Sequence, residues 1–452
     1  MGAHEGQASR KSRTQTSSRR SGRLPDGLIL SAAGLGLVFA GHMAYGAIRV
    51  EPALIATILA ALLLLACIAI PSLRRDLLRI RGLSWPAILF TLTILMGLLS
   101  LTPFAVGGPH PIWTYVGSGP GSGTVDPSAT ILELIKLGGL ACLFVVGVTT
   151  GAADERARTT VNLLIVLSVL FGLWAFFAFT TGTVFQTQRG RLEGTLMSPN
   201  TAGTFFAALV VVTLGPLMRN LRGVQASRAL QAGSSYWIAL LVLVACLLMT
   251  ASRGAALGAA AGAVGLVIML FFAGQASWNR ASMILLATVL GVAAGLYAFG
   301  GNLVERFADI NDGATGRAEL FAMHWRAFQA APLGGYGLGT FDTIHRTLLD
   351  TQSLESVWRI RATHNVYIQW LEEAGLTGAL PMFGCIASII GIAVFRGMRR
   401  SRMTHVLFAL IAADLVFLIH GFTDFALQTP SMSMMWSYLL GLQFALSQGS
   451  RR

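Results

Sequence analysis

Runs of about 20 apolar residues recur along the whole of this chain, and no other feature limits its fold so strictly. Such a run is what an α-helix needs to cross the hydrocarbon core of a bilayer, where each backbone N–H and C=O must be satisfied within the segment. Twelve spans are expected, near 28–48, 52–71, 84–105, 129–150, 160–180, 200–217, 235–250, 254–273, 281–299, 376–396, 405–421 and 431–447. Composition agrees: only 12% of residues are charged, against about 25% in soluble domains. The expected fold is an all-α integral membrane protein of about 12 transmembrane helices, with one long loop between spans nine and ten.

The chain divides accordingly. Residues 1–27, rich in Ser and Arg, read as a disordered basic tail rather than a cleaved leader, because the run at 28–48 is long enough to span and no A-x-A-like site follows it. Residues 28–299 hold spans one to nine, 300–375 the loop, 376–447 spans ten to twelve and 448–452 a short tail. Cys67, Cys142, Cys246 and Cys385 lie inside apolar runs without metal-ligand spacing and read as packing residues.

Basic residues set the orientation. With the N-terminus cytoplasmic, 22 Lys and Arg fall on the inner side, 10 on the outer side and one, Lys136, within span four. That is the positive-inside bias, and it places both termini in the cytoplasm. The net charge of +13 follows from this sorting and from attraction to anionic membrane lipids. It calls for no nucleic acid. The outer arginines then stand out, gathering around 189–191, 253 and the loop at 306–361.

Within the loop, "NDGATGRAELFAMHWRAFQAAP" predicts a helix over 316–330, started near Asp312 or Thr315 and ended by Pro332. Arg317, Phe321, His324 and Phe328 share one face of it. "LGGYGLGTF" at 333–341 reads as a tight turn, since no strand precedes it and it has no P-loop lysine. In "THNVYIQWLEEAGLTG", residues 363–378, Asn365, Gln369 and Glu372 make a polar stripe opposite Tyr367, Ile368, Leu371 and Ala374. An amphipathic helix along the membrane surface is expected there, with Gly375 turning the chain into span ten. His364 is expected at the first turn, where the helix dipole disfavours imidazolium and leaves the ring able to accept a proton. A capping or packing histidine fits the same spacing. "GRLEGTLMSPNTAG" enters span six with Ser198 as N-cap and Pro199 at the first helical position. "MTASRGAALG" makes a hairpin that sets Arg253 at the outer boundary, there to meet an anion or to snorkel. The loop acids Asp309, Asp312, Glu319, Asp342 and Asp350 show no paired spacing and read as solvated surface.

Three of these segments together resemble bacterial O-antigen ligases. His364-Asn365, nine residues, then Gly375-Leu376-Thr377-Gly378 matches that family's H-[NSQ]-x9-G-xx-[GTY] pattern. "SRGA" at 252–255 looks like its arginine turn, and "GRAELFAMHWRAFQAAPLGGYGLGTF" like the start of its long periplasmic loop. "SPN" at 198–200 and "HGFTDF" at 420–425 are similar too, over a resemblance clearest across 185–425. It implies a fold like the GT-C glycosyltransferases, in the bacterial inner membrane with the site facing the periplasm. It implies transfer of a glycan from undecaprenyl diphosphate to an acceptor hydroxyl, that of lipid A–core or another glycan. Arg253 and Arg317 would hold the diphosphate and His364 would activate the hydroxyl. Arg189, Arg191, Arg346, Asn200 and Asn365 are expected to assist in binding, and Glu193 stands as an alternative base or orienter. No cofactor is expected, and a metal is not needed if arginines neutralise the diphosphate. The same superfamily holds O-antigen and exopolysaccharide polymerases and protein O-oligosaccharyltransferases, and twelve spans leave a polysaccharide transporter as a further alternative.

Overall fold

The computed structural model describes residues 26–275, except 118 and 189, and 310–449, except 352. The basic tail, the expected ninth span at 281–299, Arg306 and Arg189 therefore lie outside the described residues. Those described are helical and turn, without a strand. The main helices are α1 (Asp26–Met43), α2 (Val50–Ala69), α3 (Ser84–Ser100), α4 (Pro127–Gly151), α5 (Asp154–Thr181), α6 (Pro199–Asn220), α7 (Ser234–Met249), α8 (Arg253–Phe272), α9 (Ile310–Ala330), α10 (Phe341–Leu348), α11 (Val366–Gly397), α12 (Thr404–His420) and α13 (Pro430–Gln448). Seven of them, α1, α2, α4, α5, α6, α8 and α11, are long and apolar enough to cross a membrane, whereas α3, α7 and α12 are apolar but shorter.

Helix α6 is the core. Apolar all round through Phe205, Phe206 and the aliphatics that follow, it is buried over 94% of its spanning window, as a helix enclosed by other helices must be. Helices α7, α8 and α12 pack against it. Small residues decide how closely the helices approach. A Cβ on Gly147 or Gly151 of α4 would stand 2.2 or 2.3 Å from carbonyls of α13, and one on Gly441 of α13 would stand 2.0 Å from the Phe144 carbonyl. This backbone-to-backbone crossing is the small-xxx-small contact of membrane bundles. In α12, Asp414 accepts from Trp436 Nε1 at 2.8 Å and Gln443 Nε2 at 2.6 Å of α13, so this buried acid is a helix–helix tie. Glu133 and Lys136 of α4 pair with each other.

Two loop elements differ from the sequence expectation. Helix α9 is already formed at Ile310, the first described residue of its segment, so the predicted start at 316 is too late and Asp312 and Thr315 lie within the helix. Gly313 costs a helix only about 1 kcal/mol, too little to stop it. The polar stripe after His364 does not face outward on a membrane surface: Gln369 and Glu373 are 8% and 7% exposed, and Glu372 is fully buried. The loop folds back over this stripe: His324 of α9 pairs with Glu372 at 2.8 Å, while Gln369 pairs with Thr363 N at 3.3 Å and Glu373 at 2.9 Å.

Helix α11 is broken at Gly375, whose φ of 58° and ψ of −176° suit glycine alone. The 332–337 turn fills the break. Tyr336 N and Gly337 N donate to the Glu372 and Glu373 carbonyls at 3.0 and 2.8 Å. Leu376 N and Thr377 N donate to the Pro332 and Leu333 carbonyls at 2.8 and 3.2 Å. The glycine-rich segment is thus a tight turn, as its spacing suggested, and its task is to satisfy the backbone of a broken helix.

Candidate active site at three helix N-termini

Three helices begin in the same way beside one another. A left-handed residue precedes a capping side chain: Met197 then Ser198 for α6, Ala251 then Ser252 for α8, His364 then Asn365 for α11. Ser198 and Ser252 each accept the third N–H of their helix at 3.4 Å. Asn365 accepts from Tyr367 N at 3.0 Å and Ile368 N at 3.1 Å. These serines and the asparagine are the residues a helix start selects.

Close packing brings the three starts together. A Cβ on Gly203 of α6 would stand 2.8 Å from the Ser252 side chain, and one on Gly254 of α8 would stand 2.6 Å from the His420 ring. Val366 N donates to the Gly421 carbonyl at 2.9 Å, which joins α11 to the end of α12. The positive ends of three helix dipoles therefore gather in one place. Arg253 is the first residue of α8 and is exposed there. Arg317, exposed on α9, lies within electrostatic reach of His420, whose Nδ1 pairs with Thr204 Oγ1 of α6 at 2.7 Å.

His364 therefore sits one residue before the N-cap, not in the first turn, because Asn365 takes the capping role. Its ring packs edge-on to Phe425, with centroids 4.7 Å apart. Its Nδ1 faces Asp424 Oδ1 at 3.8 Å. Asp424 is fully buried, and neither of its oxygens, nor His364 Nδ1, has a hydrogen-bond partner among the described residues. A buried carboxylate without partners is costly. Contraction by about 1 Å would let Nδ1–H donate to it, leaving Nε2 as the free base, and such contacts are often long before substrate binds.

The other expected residues divide. Arg191 donates to the Thr250 carbonyl at 2.7 Å, Gln188 Oε1 at 2.6 Å and Asn200 Oδ1 at 2.9 Å, so Arg191 and Asn200 tie α6 to the α7–α8 hairpin. Glu193 is 1% exposed and accepts from the backbone and hydroxyl of Thr187. Burial pushes its carboxyl up and the Thr187 contacts pull it down. A carboxylate spent on closing its own loop is poorly placed as a base. Arg346 is exposed on α10. Asn365 serves its helix.

His420, Asp424, His324 and His345 were missed as site residues. For the first two the signal was there, because "HGFTDF" carries two ionisable groups between two apolar runs. His324 donates to or accepts from Glu372 at 2.8 Å and contacts His345 Nδ1 at 3.1 Å through Nε2. His345 Nε2 reaches the Val357 carbonyl at 2.9 Å. Among the described residues no group of three His, Cys, Asp or Glu side chains stands at metal-holding distance. A cavity of about 460 Å³ beside the Gly375 break, lined by Met96, Gly97, Leu333, Tyr336, Ala374 and Thr377 among others, contains none of the three candidate catalytic residues.

Fold and site together define a multi-span helical membrane protein in which arginine and histidine side chains gather where three helices start. Residues 238–383 match the family model described as O-antigen ligase. The matched segment runs from α7 to the middle of α11 and contains Arg253, Arg317, Arg346 and His364. Ligases and polymerases of glycans share this superfamily. No curated protein matches the chain.

Proposed function

We propose that this protein transfers a glycan from undecaprenyl diphosphate to an acceptor hydroxyl of lipid A–core, at the periplasmic side of the bacterial inner membrane. The observation that carries this reading is the placement of His364, aimed at buried Asp424, beside helix starts that present Arg253. The acceptor oxygen attacks the anomeric carbon while its proton passes to His364 Nε2. The bond from that carbon to the diphosphate breaks, and the electron pair leaves with the lipid diphosphate. One displacement inverts the anomeric centre. Arg253, Arg317 and the helix N-termini meet the charge that builds on the leaving group, in a site where such contacts act at low dielectric. Asp424 holds the imidazole in the tautomer that accepts at Nε2. The arginine–asparagine tie at 191 and 200 keeps the α8 start in place.

The test is a lipopolysaccharide gel with analysis of lipid-linked glycan, on cells with and without the gene. Long glycan stranded on undecaprenyl diphosphate beside bare lipid A–core supports the ligase. Single repeat units on lipid A–core, with no long chains, would instead make the protein a polymerase.

A further inference from the structure

The loop is fastened to α11 by a hydrogen-bonded chain whose direction can be worked out atom by atom. The Val357 carbonyl only accepts, so His345 Nε2–H donates to it. Neutral His345 then presents a lone pair at Nδ1 and accepts from His324 Nε2–H. Neutral His324 in turn presents a lone pair at Nδ1, and Glu372 must donate its carboxyl proton there. With both imidazoles neutral, one set of tautomers satisfies every group. His324 and Glu372 are fully buried and His345 is 2% exposed, so leaving any of them unpaired would be costly. The rings of His324, His345 and Phe341 are stacked, which fixes the imidazole planes. Burial holds His324 down at about 4, in keeping with a neutral ring.

The ends of this chain matter because of what else their helices carry. Arg317 precedes His324 by seven residues on α9, two turns or about 10 Å along one face. His364 stands at the start of the helix that bears Glu372. We propose that His345, His324 and Glu372 are positioning residues, a directional clasp that sets the register of Arg317 against His364. This rests on the function proposed above. Apolar side chains in the same places would pack the loop as firmly, yet would allow α9 to slide; a chain with one tautomer set does not.

The experiment uses full-length protein in nanodiscs, with its four cysteines replaced and spin labels at exposed positions 326 on α9 and 380 on α11. Wild type should give a narrow distance distribution. Glu372→Leu should broaden it and lower kcat for glycan transfer by about 30-fold or more, with a smaller effect on KM. Glu372→Gln, whose amide N–H can donate to His324 Nδ1, should restore both to within about threefold. Should Glu372→Leu fail to fold, His345→Phe keeps the ring stack, severs the other end of the chain and should give the same two changes. A narrow distribution with Glu372→Leu or His345→Phe would overturn the proposal, and so would broadening with kcat unchanged. If wild type transfers no glycan, the functional reading falls, while a narrow distribution in the severed variants still overturns the clasp.

Discussion

His364 holds a left-handed φ of 56°, which costs a residue with a Cβ about 1 kcal/mol, and it does so beside a buried carboxylate with no hydrogen-bond partner among the described residues. Strain and an orphaned charge at one point are what a preorganised base requires. His364→Ala should therefore abolish transfer, measured on purified protein, while expression and membrane insertion stay normal; near-wild-type transfer would remove His364 as the base. Asp424→Asn keeps the shape but no longer holds the imidazole tautomer, and a loss of about 100-fold in kcat is expected. Gly254 gives a steric probe of the same site. A Cβ there meets His420 at 2.6 Å, whereas one on Gly138 of α4 meets nothing within 4 Å. Gly254→Ala should cut transfer at least tenfold and Gly138→Ala should be silent; equal behaviour of the two would show that the α8 start does not need its close approach to His420. His364 and Arg253 were legible in the sequence because each interrupts an apolar pattern with a charge at a turn. Asp424 was visible as an acid between two apolar runs, but its approach to His364 was not, because it joins residues 60 positions apart and no local pattern records that.

At the scale of the element, the break in α11 and the clasp across it decide how the loop is held. Gly375 cannot become alanine cheaply: its φ and ψ lie where only glycine rests, and a Cβ would stand 2.1 Å from the Leu333 carbonyl. Gly375→Ala should lower stability by about 2 kcal/mol, read as a lower Tm in detergent, and an unchanged Tm would show that the turn at 332–337 does not pin the helix. The clasp adds a pH dependence whose sign follows from burial. His324 binds a proton near 6.5 when unfolded and near 4 in the fold. Between those values the unfolded chain holds more protons, so stability rises with pH. The contribution of His324 by itself is complete above about 6.5 and is lost as pH falls towards 4. It is offset by Glu372, whose proton the fold retains up to about 8 while the unfolded chain releases it above about 4.5. His345 shifts in the same direction, mainly through burial, with Asp342 and Arg361 nearby acting in opposite senses. The Tm of wild type should fall faster from pH 6.5 to 4 than that of His324→Phe, and parallel curves would exclude the clasp as the acid-sensitive element. The sequence revealed the amphipathic pattern here and misled on its direction: a polar stripe looks the same whether it meets water or the histidines of a returning loop.

For the whole molecule, the all-helical class with several membrane-length helices was readable because bilayer thickness imposes a length on a span, whereas the meeting of the three helix starts was not, since those helices are distant in sequence. The same packing sorts charge between the two ends of the bundle. At the end away from His364, Arg156 reaches Asp76 at 2.8 Å, Arg400 pairs with Asp154, and Arg81 and Gln448 bind each other's backbone and side chain. Arginines left over after these pairings, Arg219 and Arg222 among them, line the same end. Basic loops stay on the cytoplasmic side because translocating them is unfavourable, so this end should face the cytoplasm and the three helix starts should face the periplasm. Single cysteines test it on an otherwise cysteine-free chain, at Tyr115 in the α3–α4 loop, 89% exposed, and at Leu230 between α6 and α7, 74% exposed. With the outer membrane permeabilised and the inner one intact, a membrane-impermeant maleimide should label Tyr115→Cys at once and Leu230→Cys only after the inner membrane is opened. The reverse pattern would put His364, Arg253 and Arg317 in the cytoplasm, out of reach of a periplasmic acceptor, and the proposed reaction would fall with the orientation.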